Sequence, residues 1–295
     1  MKIAFFVEAK KSLGHMTRCL EVAKAIKQEY YEFVFIVNGS FVRPIEKAGF
    51  RYVLVDIPDK GSNGGMLPDE YKRKINPIIE EENPDAIVFD TFFFEVSASV
   101  RKILVLRNIR DNVLDEFLIR KCYEMFDVII SPHKNEELPV KLKELNNLVA
   151  VGSIVKQIEK SKKKNKRFSI IALCGGGGFT KSANKFVETC LEVKKRLKDV
   201  DFTIVTGPYY SGEKKGIVKY VEDILSLLQK SDLVISEAGY NTVNEIISAK
   251  TPAIFLPGHR NNDNQEQRAK SLEEQGAAII CNYDADSVCS NILDL

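Results

Sequence analysis

The sequence has few of the residues that mark specialised protein classes. Its six cysteines form no C-x-x-C pair, so neither a zinc site nor a disulfide framework is indicated, and we expect reduced core residues. No apolar run approaches the roughly 20 residues that a membrane helix needs. The N-terminus, MKIAFFVEAKK, becomes charged too soon for a signal peptide. With 43 basic and 41 acidic residues, no charge excess points to nucleic acid. These absences favour a cytoplasmic globular protein.

Apolar runs that resemble strands alternate with segments of helical period, which is typical of parallel sheets covered by helices on both faces. The strand runs of the first half are KIAFFVEA, FVFIVN, RYVLVDI, DAIVFDT, KILVLRN and DVIISP. The pattern restarts at Phe168 with FSIIAL and continues through DFTIVTG, DLVISEAG, PAIFLPG and AAIICN. We therefore predict an α/β protein with doubly wound sheets.

A chain of 295 residues exceeds what one hydrophobic core usually serves, which favours two domains. Between the two rounds of strands lies EKSKKKNKRF, a lysine-rich run that we interpret as a surface linker because it cannot bury itself. The predicted boundaries are 1–156 for the first domain, 157–167 for the linker and 168–295 for the second domain. We expect two Rossmann-like domains facing a cleft, with ligands outside the carboxyl ends of the strands.

One of only three histidines follows the first strand directly. Gly14 and His15 fall in the loop and at the start of the first helix, whose buried stripe is Met16, Cys19, Leu20, Ala23 and Ile26. That stripe leaves His15 and Arg18 to point elsewhere. A group that titrates near neutral pH suits proton transfer, so we predict that His15 is catalytic; the alternative is a helix cap. Arg18 would contact an anion or form a surface ion pair.

A glycine run, CGGGGF, joins a strand to a helix in the second half. Successive backbone N–H groups at Gly175, Gly176, Gly177, Gly178 and Phe179 can converge on an anion, and the helix dipole favours negative charge there. The run is neither a P-loop nor a G-x-G-x-x-G motif, so a plain tight turn is the alternative.

Polar residues also follow the next two strands of the second half. Glu245 stands one turn into a short helix and is suited to a ribose diol, while the loop HRNNDNQEQ opens another helix. Capping explains any one of these residues singly, but their arrangement on neighbouring loops indicates a ligand. The candidates are Gly239, Asn241, Thr242, Glu245, Asp263, Asn264 and Gln265.

This segment resembles the C-terminal signature of family 28 glycosyltransferases, which runs roughly S-x-A/G-G-x-x-T-x-x-E, P-A-I-x-x-P, D-x-Q-x-x-x-A and G-A-A. The matching residues are Ser236, Gly239, Thr242 and Glu245, then Pro252, Ala253, Ile254 and Pro257, then Asp263, Gln265 and Ala269, then Gly276, Ala277 and Ala278. The N-terminal LGHMTRCLEVA is similar to the G-x-G-H-x-x-R-C-L-x-L-A start of the UDP-sugar hydrolases of the pseudaminic acid pathway, which are relatives of these transferases.

The resemblance implies a GT-B architecture whose C-terminal domain holds a UDP-sugar and whose N-terminal domain presents an acceptor or water. It implies that Glu245 binds ribose, that Gln265 touches the sugar and that His15 is the general base. The diphosphate would face the backbone of 175–179 and 239–242. No cofactor and no metal are implied, and no paired acidic motif of the Asp-x-Asp kind stands ready to carry Mg²⁺ to the diphosphate. Lys250 departs from the family, which mostly has glycine there, so a left-handed helix end would cost about 1 kcal/mol or the turn must differ.

Three functions remain open. The first is an inverting, metal-independent glycosyltransferase with a UDP-sugar donor and an unknown acceptor. The acceptor would be a saccharide or a lipid-linked saccharide. A lipid-linked acceptor would bring the protein into peripheral contact with a membrane. The second is a UDP-sugar hydrolase, favoured by GHMTRC and by the short segment after the last matched strand. The third is a non-catalytic binder. GSNGGML and TFFFEVS are candidates for an acceptor groove, although core packing also explains the phenylalanines.

Overall fold

A computed structural model describes residues 1–58, 61–156, 167–175, 178, 181–258 and 264–294. It divides into two compact units, Met1–Ile154 and Val155–Leu295. Most of the lysine-rich segment that we interpret as a linker, residues 157–166, lies outside the described residues.

The first unit is built on a seven-stranded sheet in which every neighbouring pair is parallel. Its strands are β1 Lys2–Glu8, β2 Glu32–Asn38, β3 Arg51–Val55, β4 Ala86–Asp90, β5 Arg101–Val105, β6 Val128–Ser131 and β7 Leu148–Ala150. Its helices are α1 Gly14–Ile26, α2 Arg43–Lys47, α3 Asp69–Glu82, α4 Asp111–Ile119 and α5 Val140–Lys143, with short 3-10 turns at Cys122–Met125 and Asn135–Glu137.

Burial on both faces explains the apolar runs of the central strands. The five interior residues of β1 and all five residues of β4 are buried. The sheet order is β3-β2-β1-β4-β5-β6-β7, so the connections run one way from β1 and the other way from β4. The point where the order reverses, between β1 and β4, is where doubly wound sheets open a crevice at their carboxyl edge.

The second unit repeats this plan with a six-stranded parallel sheet. Its order is β10-β9-β8-β11-β12-β13, which reverses between β8 and β11. The strands are β8 Ser169–Leu173, β9 Asp201–Val205, β10 Ile217–Val218, β11 Leu233–Ser236, β12 Ala253–Phe255 and β13 Ala278–Ile280. The helices are α6 Lys181–Arg196, α7 Ile224–Lys230, α8 Tyr240–Ala249, α9 Gln265–Glu274 and α10 Ala285–Leu293.

The α/β class and the doubly wound parallel sheets that the sequence predicts are confirmed. The strands β7 and β10 and the helices α2 to α5 and α10 were not part of the prediction. These elements are short or, in α3, carry a proline inside the helix, Pro77, which in a sequence usually indicates the end of a helix. Within the described ranges, no helix combines the length and the hydropathy that crossing a membrane would take.

Helix α8 ends at a residue in the left-handed conformation, Lys250, and this conformation costs free energy in a residue other than glycine. Lys250 has φ +55° and ψ +40°, so the family-type turn is kept although glycine is absent. A side chain with a Cβ is strained in this region of backbone space. The turn therefore stores strain that glycine would remove.

We expect Lys250→Gly to raise the free energy of unfolding by about 1 kcal/mol, because glycine reaches positive φ without a Cβ clash. Lys250→Ala is the matched control, since alanine removes the charge but keeps the Cβ. Urea unfolding of both variants measures the difference. A gain of the same size in Lys250→Ala would mean that the lysine side chain, and not the backbone, is responsible.

Candidate active site

The point where the first sheet reverses its order holds a buried carboxylate, Asp90, at the carboxyl end of β4. The side chain of His15, at the start of α1, approaches it with 2.7 Å between Nδ1 and Asp90 Oδ1. Arg18, one turn further along α1, binds both carboxylate oxygens, at 2.6 Å from Nε to Oδ2 and 2.5 Å from Nη2 to Oδ1. His15 and Arg18 are 8% and 2% exposed, so the cluster is shielded from water.

Opposing effects set the charges in this cluster. Burial alone would raise the pKa of Asp90, but the charges and hydrogen bonds of Arg18 and His15 outweigh it and hold that pKa well below its ordinary value. Burial lowers the pKa of His15; Asp90 opposes this, and Arg18 and Arg107 add to it. Asp90 is therefore an anion at neutral pH and His15 is a neutral imidazole.

These contacts differ from the alternatives considered for His15 and Arg18. The N-cap of α1 is Leu13, and α1 has no side-chain cap hydrogen bond within the described residues, whereas the ring of His15 contacts Asp90 and Phe92. Arg18 forms a buried ion pair, neither a surface pair nor an open anion site. Gly14 is the first residue of α1, and its N–H faces Ser12 Oγ at 3.1 Å.

The two segments proposed as an acceptor groove pack against each other beside this cluster. The N–H of Leu67 donates to the carbonyl of Phe93 at 2.7 Å, and the N–H of Phe93 donates to Gly65 at 3.1 Å. Phe93 and Phe94 lie in the core. Phe92 instead places its ring 5.1 Å from that of His15, so one of the three aromatic residues borders the candidate base.

The second sheet also has a carboxylate at the point where its order reverses. Glu237 follows β11 and is fully buried. Its Oε1 accepts hydrogen bonds from Ser182 Oγ at 2.7 Å and from the Tyr283 hydroxyl at 3.1 Å, and its Oε2 lies 3.8 Å from Cys174 Sγ. These partners come from the segments after β8 and β13. One carboxylate therefore joins the carboxyl ends of three strands.

Gly258, three residues after β12, packs against the same carboxylate. A Cβ on Gly258 would lie 2.9 Å from Ser182 Oγ and 3.0 Å from Glu237 Oε1, so only glycine fits there without a shift. The N–H of Gly258 donates to Gln265 Oε1 at 2.9 Å. Gln265 is 3% exposed, and this hydrogen bond joins it to Gly258, the residue that packs against Glu237.

The structure brings several of the predicted donor-site residues together. A Cβ on Gly239 would lie 3.9 Å from Thr242 Oγ1 and 4.0 Å from Gln265 Nε2, so these three positions line one small region. Asn241 and Glu245 are half-buried on α8, which begins directly after Gly239. Asn264 is different, because its exposed side chain caps α9 by accepting from Gln267 N at 3.2 Å.

Part of the predicted site lies outside the described residues, namely Gly176, Gly177, Phe179 and Asp263. The flanking glycines of the CGGGGF run are described, and both have positive φ, +81° at Gly175 and +64° at Gly178. A Cβ on Gly178 would lie 2.6 Å from the carbonyl oxygen of Thr206. The backbone conformation at Gly175 and Gly178 and the close packing at Gly178 therefore depend on glycine, and contact with an anion stays a prediction.

The sequence contains two acidic pairs of the Asp-x-Asp kind, Asp199 with Asp201 and Asp284 with Asp286. Asp199 and Asp201 lie at the amino end of β9, away from the carboxyl edge. Asp284 follows β13, but its Oδ2 caps α10 by accepting from Ser287 N at 2.8 Å. Asp286 pairs with Arg196. In the described residues, Asp284 and Asp286 thus serve a helix cap and an ion pair.

Sequence reasoning missed both buried carboxylates. Asp90 stands at the end of an apolar run and Glu237 just after one, where an acidic residue is usually taken for an ordinary loop residue. Their position in the sheet does indicate a site. Asp90 ends β4, which lies beside β1, and Glu237 follows β11, which lies beside β8. Recognising these two carboxylates from the sequence would require the order of the strands in each sheet, which the apolar pattern does not reveal.

Comparison with known proteins shows which glycosyltransferases this chain is similar to. Residues 148–293 match the glycosyltransferase family 28 C-terminal domain. An uncharacterized glycosyltransferase of Methanosarcina mazei is 25% identical, with 96% of this chain and 86% of that protein covered. The UDP-N-acetylglucosamine--N-acetylmuramyl-(pentapeptide) pyrophosphoryl-undecaprenol N-acetylglucosamine transferase of Clostridioides difficile is 26% identical, with 90% and 74% covered. The solved spinosyn forosaminyltransferase superposes with a TM-score of 0.71 at 15% identity, over 99% of this chain and 89% of that one.

We expect Gly258→Ala to lower the free energy of unfolding by about 1–3 kcal/mol, because the new methyl group overpacks against Ser182 and Glu237. A Ser182→Ala background removes the nearest of the two clashing atoms. The cost of Gly258→Ala should therefore fall in that background, which a double-mutant cycle by urea unfolding would measure. Equal costs in both backgrounds would contradict the packing described here.

Proposed function

Because this chain is a family 28-like glycosyltransferase with the GT-B fold, we propose that it transfers a sugar from a UDP-sugar to an acceptor hydroxyl, with His15 as the general base. The proposed course is an inverting displacement that uses no metal. The first unit would present the acceptor and the second unit would hold the donor.

The pair formed by His15 and Asp90 is the observation that carries the proposal. An ionised carboxylate can only accept hydrogen bonds, so the contact to Asp90 requires the proton of the neutral ring to be on Nδ1. Nε2 then keeps its lone pair. Because burial lowers the pKa of His15, the ring stays in this form at neutral pH. A neutral, oriented imidazole at the carboxyl edge of the sheet is suited to accept a proton.

The reaction step follows from this geometry. His15 Nε2 takes the proton of the acceptor hydroxyl while that oxygen forms a bond to the anomeric carbon of the sugar. The bond from the anomeric carbon to the diphosphate oxygen breaks on the opposite side, and UDP leaves with the electron pair. The charge on Asp90 stabilises the imidazolium that forms, and Arg18 keeps the carboxylate in position.

The second unit supports the choice of a nucleotide diphosphate sugar. Glu245 stands one turn into α8 and would accept hydrogen bonds from the ribose diol. The backbone at Gly239 and the start of α8 would face the diphosphate, as helix N-termini favour anions. Gln265, held by Gly258, would contact the sugar. The name of the Clostridioides difficile relative includes UDP-N-acetylglucosamine, which favours uridine as the nucleoside.

Hydrolysis of the same donor is the second candidate, because LGHMTRCLEVA is similar to the start of UDP-sugar hydrolases and His15 would serve water as well as an alcohol. The two reactions are separated by incubating the protein with UDP-sugars in the presence and absence of saccharide acceptors. If UDP is released only when an acceptor is present, the result supports transfer. Release of free sugar at full rate without an acceptor would overturn transfer in favour of hydrolysis.

We expect His15→Asn to lower kcat by about 10²–10⁴-fold, because asparagine keeps part of the hydrogen bonding but cannot take the proton. UDP affinity, measured by calorimetry, should barely change. In the wild type the rate should fall only as the pH drops below about 6.5, the ordinary histidine value, because burial lowers the pKa of His15. A variant that loses stability and keeps its rate would show that His15 is structural.

We expect Glu245→Ala to weaken UDP binding by about 1.5–3 kcal/mol, the usual contribution of a hydrogen bond to a charged acceptor. Glu274→Ala is the matched control, since Glu274 is exposed at the end of α9. Calorimetric titration with UDP in the presence of EDTA tests the affinity and the metal independence together. If Glu245→Ala binds UDP as tightly as the wild type does, Glu245 does not bind the ribose. If UDP binding strictly requires Mg²⁺, the metal-free mechanism is refuted.

A further inference from the structure

The loop between β5 and α4, residues 106–110, carries polar atoms that the fold leaves unsatisfied. Asn108 Oδ1 and Arg110 Nε are both buried, and neither has a hydrogen-bond partner among the described residues. A buried donor or acceptor without a partner costs free energy, so such atoms are rare in folded proteins. Here an unsatisfied acceptor and an unsatisfied donor stand two residues apart on one loop.

The position of this loop in the sheet places it beside the candidate base. β5 is the neighbour of β4, and Val105 is in register with Asp90. Arg107 therefore stands two residues beyond the partner of the carboxylate that orients His15. The positive charge of Arg107 acts on His15 directly, as one of the groups that lower its pKa. The loop and the candidate base thus lie at the same edge of the first sheet.

The backbone of the loop is fixed before any ligand arrives. The N–H of Asn108 donates to His133 Nε2 at 2.9 Å, and the N–H of Leu106 donates to the carbonyl of Ile130 at 2.9 Å. Arg110 is the N-cap residue of α4, and α4 has no side-chain cap hydrogen bond within the described residues. The loop therefore presents its polar groups on a held backbone, which lowers the ordering cost of binding.

We infer that the loop Arg107–Arg110 binds an oxyanion of the acceptor, a phosphate ester in chemical class, beside the hydroxyl that His15 deprotonates. The guanidinium groups of Arg107 and Arg110 would bind the phosphate oxygens, since arginine matches their geometry. Asn108 Oδ1 would accept a hydrogen bond from a neighbouring hydroxyl of the same molecule. A phosphorylated saccharide has both groups. This inference rests on the proposed function for the identity of the ligand as acceptor.

The inference is tested on the full chain by proton NMR of the histidine rings, with inorganic phosphate as the probe. The chain has only three histidines, so the signal of His15 can be assigned with His15→Asn. Burial lowers the pKa of His15, Asp90 raises it, and the charges of Arg18 and Arg107 lower it further. Binding of phosphate at Arg107 adds negative charge, so it should raise the pKa of His15 in a saturable way.

Variants separate this site from general salt effects. In Arg110→Gln the phosphate concentration for half-saturation should rise about tenfold or more, the loss expected for a hydrogen bond between charged groups. Arg107→Gln should itself raise the pKa of His15 and abolish the further rise with phosphate. Arg101→Gln, at the opposite end of β5 and exposed, is the matched control and should behave as the wild type.

A titration in the presence of UDP identifies the source of the oxyanion. Saturable binding that persists with UDP present supports an acceptor site. Binding that UDP abolishes would assign the loop to the donor diphosphate and overturn the inference, as would a shift that never saturates or is equal in all variants. If the chain binds no UDP while phosphate still shifts His15 alone, the proposed donor has failed and the anion site stands.

Discussion

The burial of one carboxylate at the point where each sheet reverses its order is the constraint on which the rest of the structure depends. An ionised carboxyl group taken out of water must be paired or hydrogen-bonded, because its desolvation is otherwise too costly. Asp90 meets this requirement with the guanidinium of Arg18 and the ring of His15. Glu237 meets it with the hydroxyls of Ser182 and Tyr283. In both units the hydrogen bonds of the carboxylate join segments that meet at the carboxyl edge of the sheet.

The partners differ between the two units, and so do the chemical consequences. Cationic and imidazole partners around Asp90 leave one ring nitrogen of His15 as a proton acceptor. Around Glu237 the described partners are the hydroxyls of Ser182 and Tyr283 and the thiol of Cys174. Burial together with the charge of Glu237 raises the pKa of Tyr283, so this tyrosine stays a donor at neutral pH. The second cluster therefore connects the segments after three strands through hydrogen bonds to one carboxylate. This contrast agrees with the proposal that chemistry starts in the first unit and donor binding occurs in the second.

The sequence predicts the fold well because a parallel strand covered on both faces must be apolar along its length, and that pattern is visible without any tertiary information. It also places His15 and Gln265 after strands, where parallel sheets collect their ligands. It does not reveal Asp90 or Glu237 as parts of a site. Their importance comes from the adjacency of β1 with β4 and of β8 with β11, pairs separated by long stretches of chain. Side-chain capping, as at Asn264, is equally invisible, since a cap and a ligand contact use the same residue types.

The electrostatics of the first unit connect the proposed base with the proposed anion site. Burial, and after it the charges of Arg18 and Arg107, lower the pKa of His15, which keeps the ring neutral but also makes it a weaker base. An acceptor that carries a phosphate would offset the charge of Arg107 when it binds, so the pKa of His15 would rise at that moment. The base would then be strongest when the correct acceptor is present and weaker when only water is available. On these proposals, the charge of the acceptor itself would favour transfer over hydrolysis, even though His15 can serve both reactions.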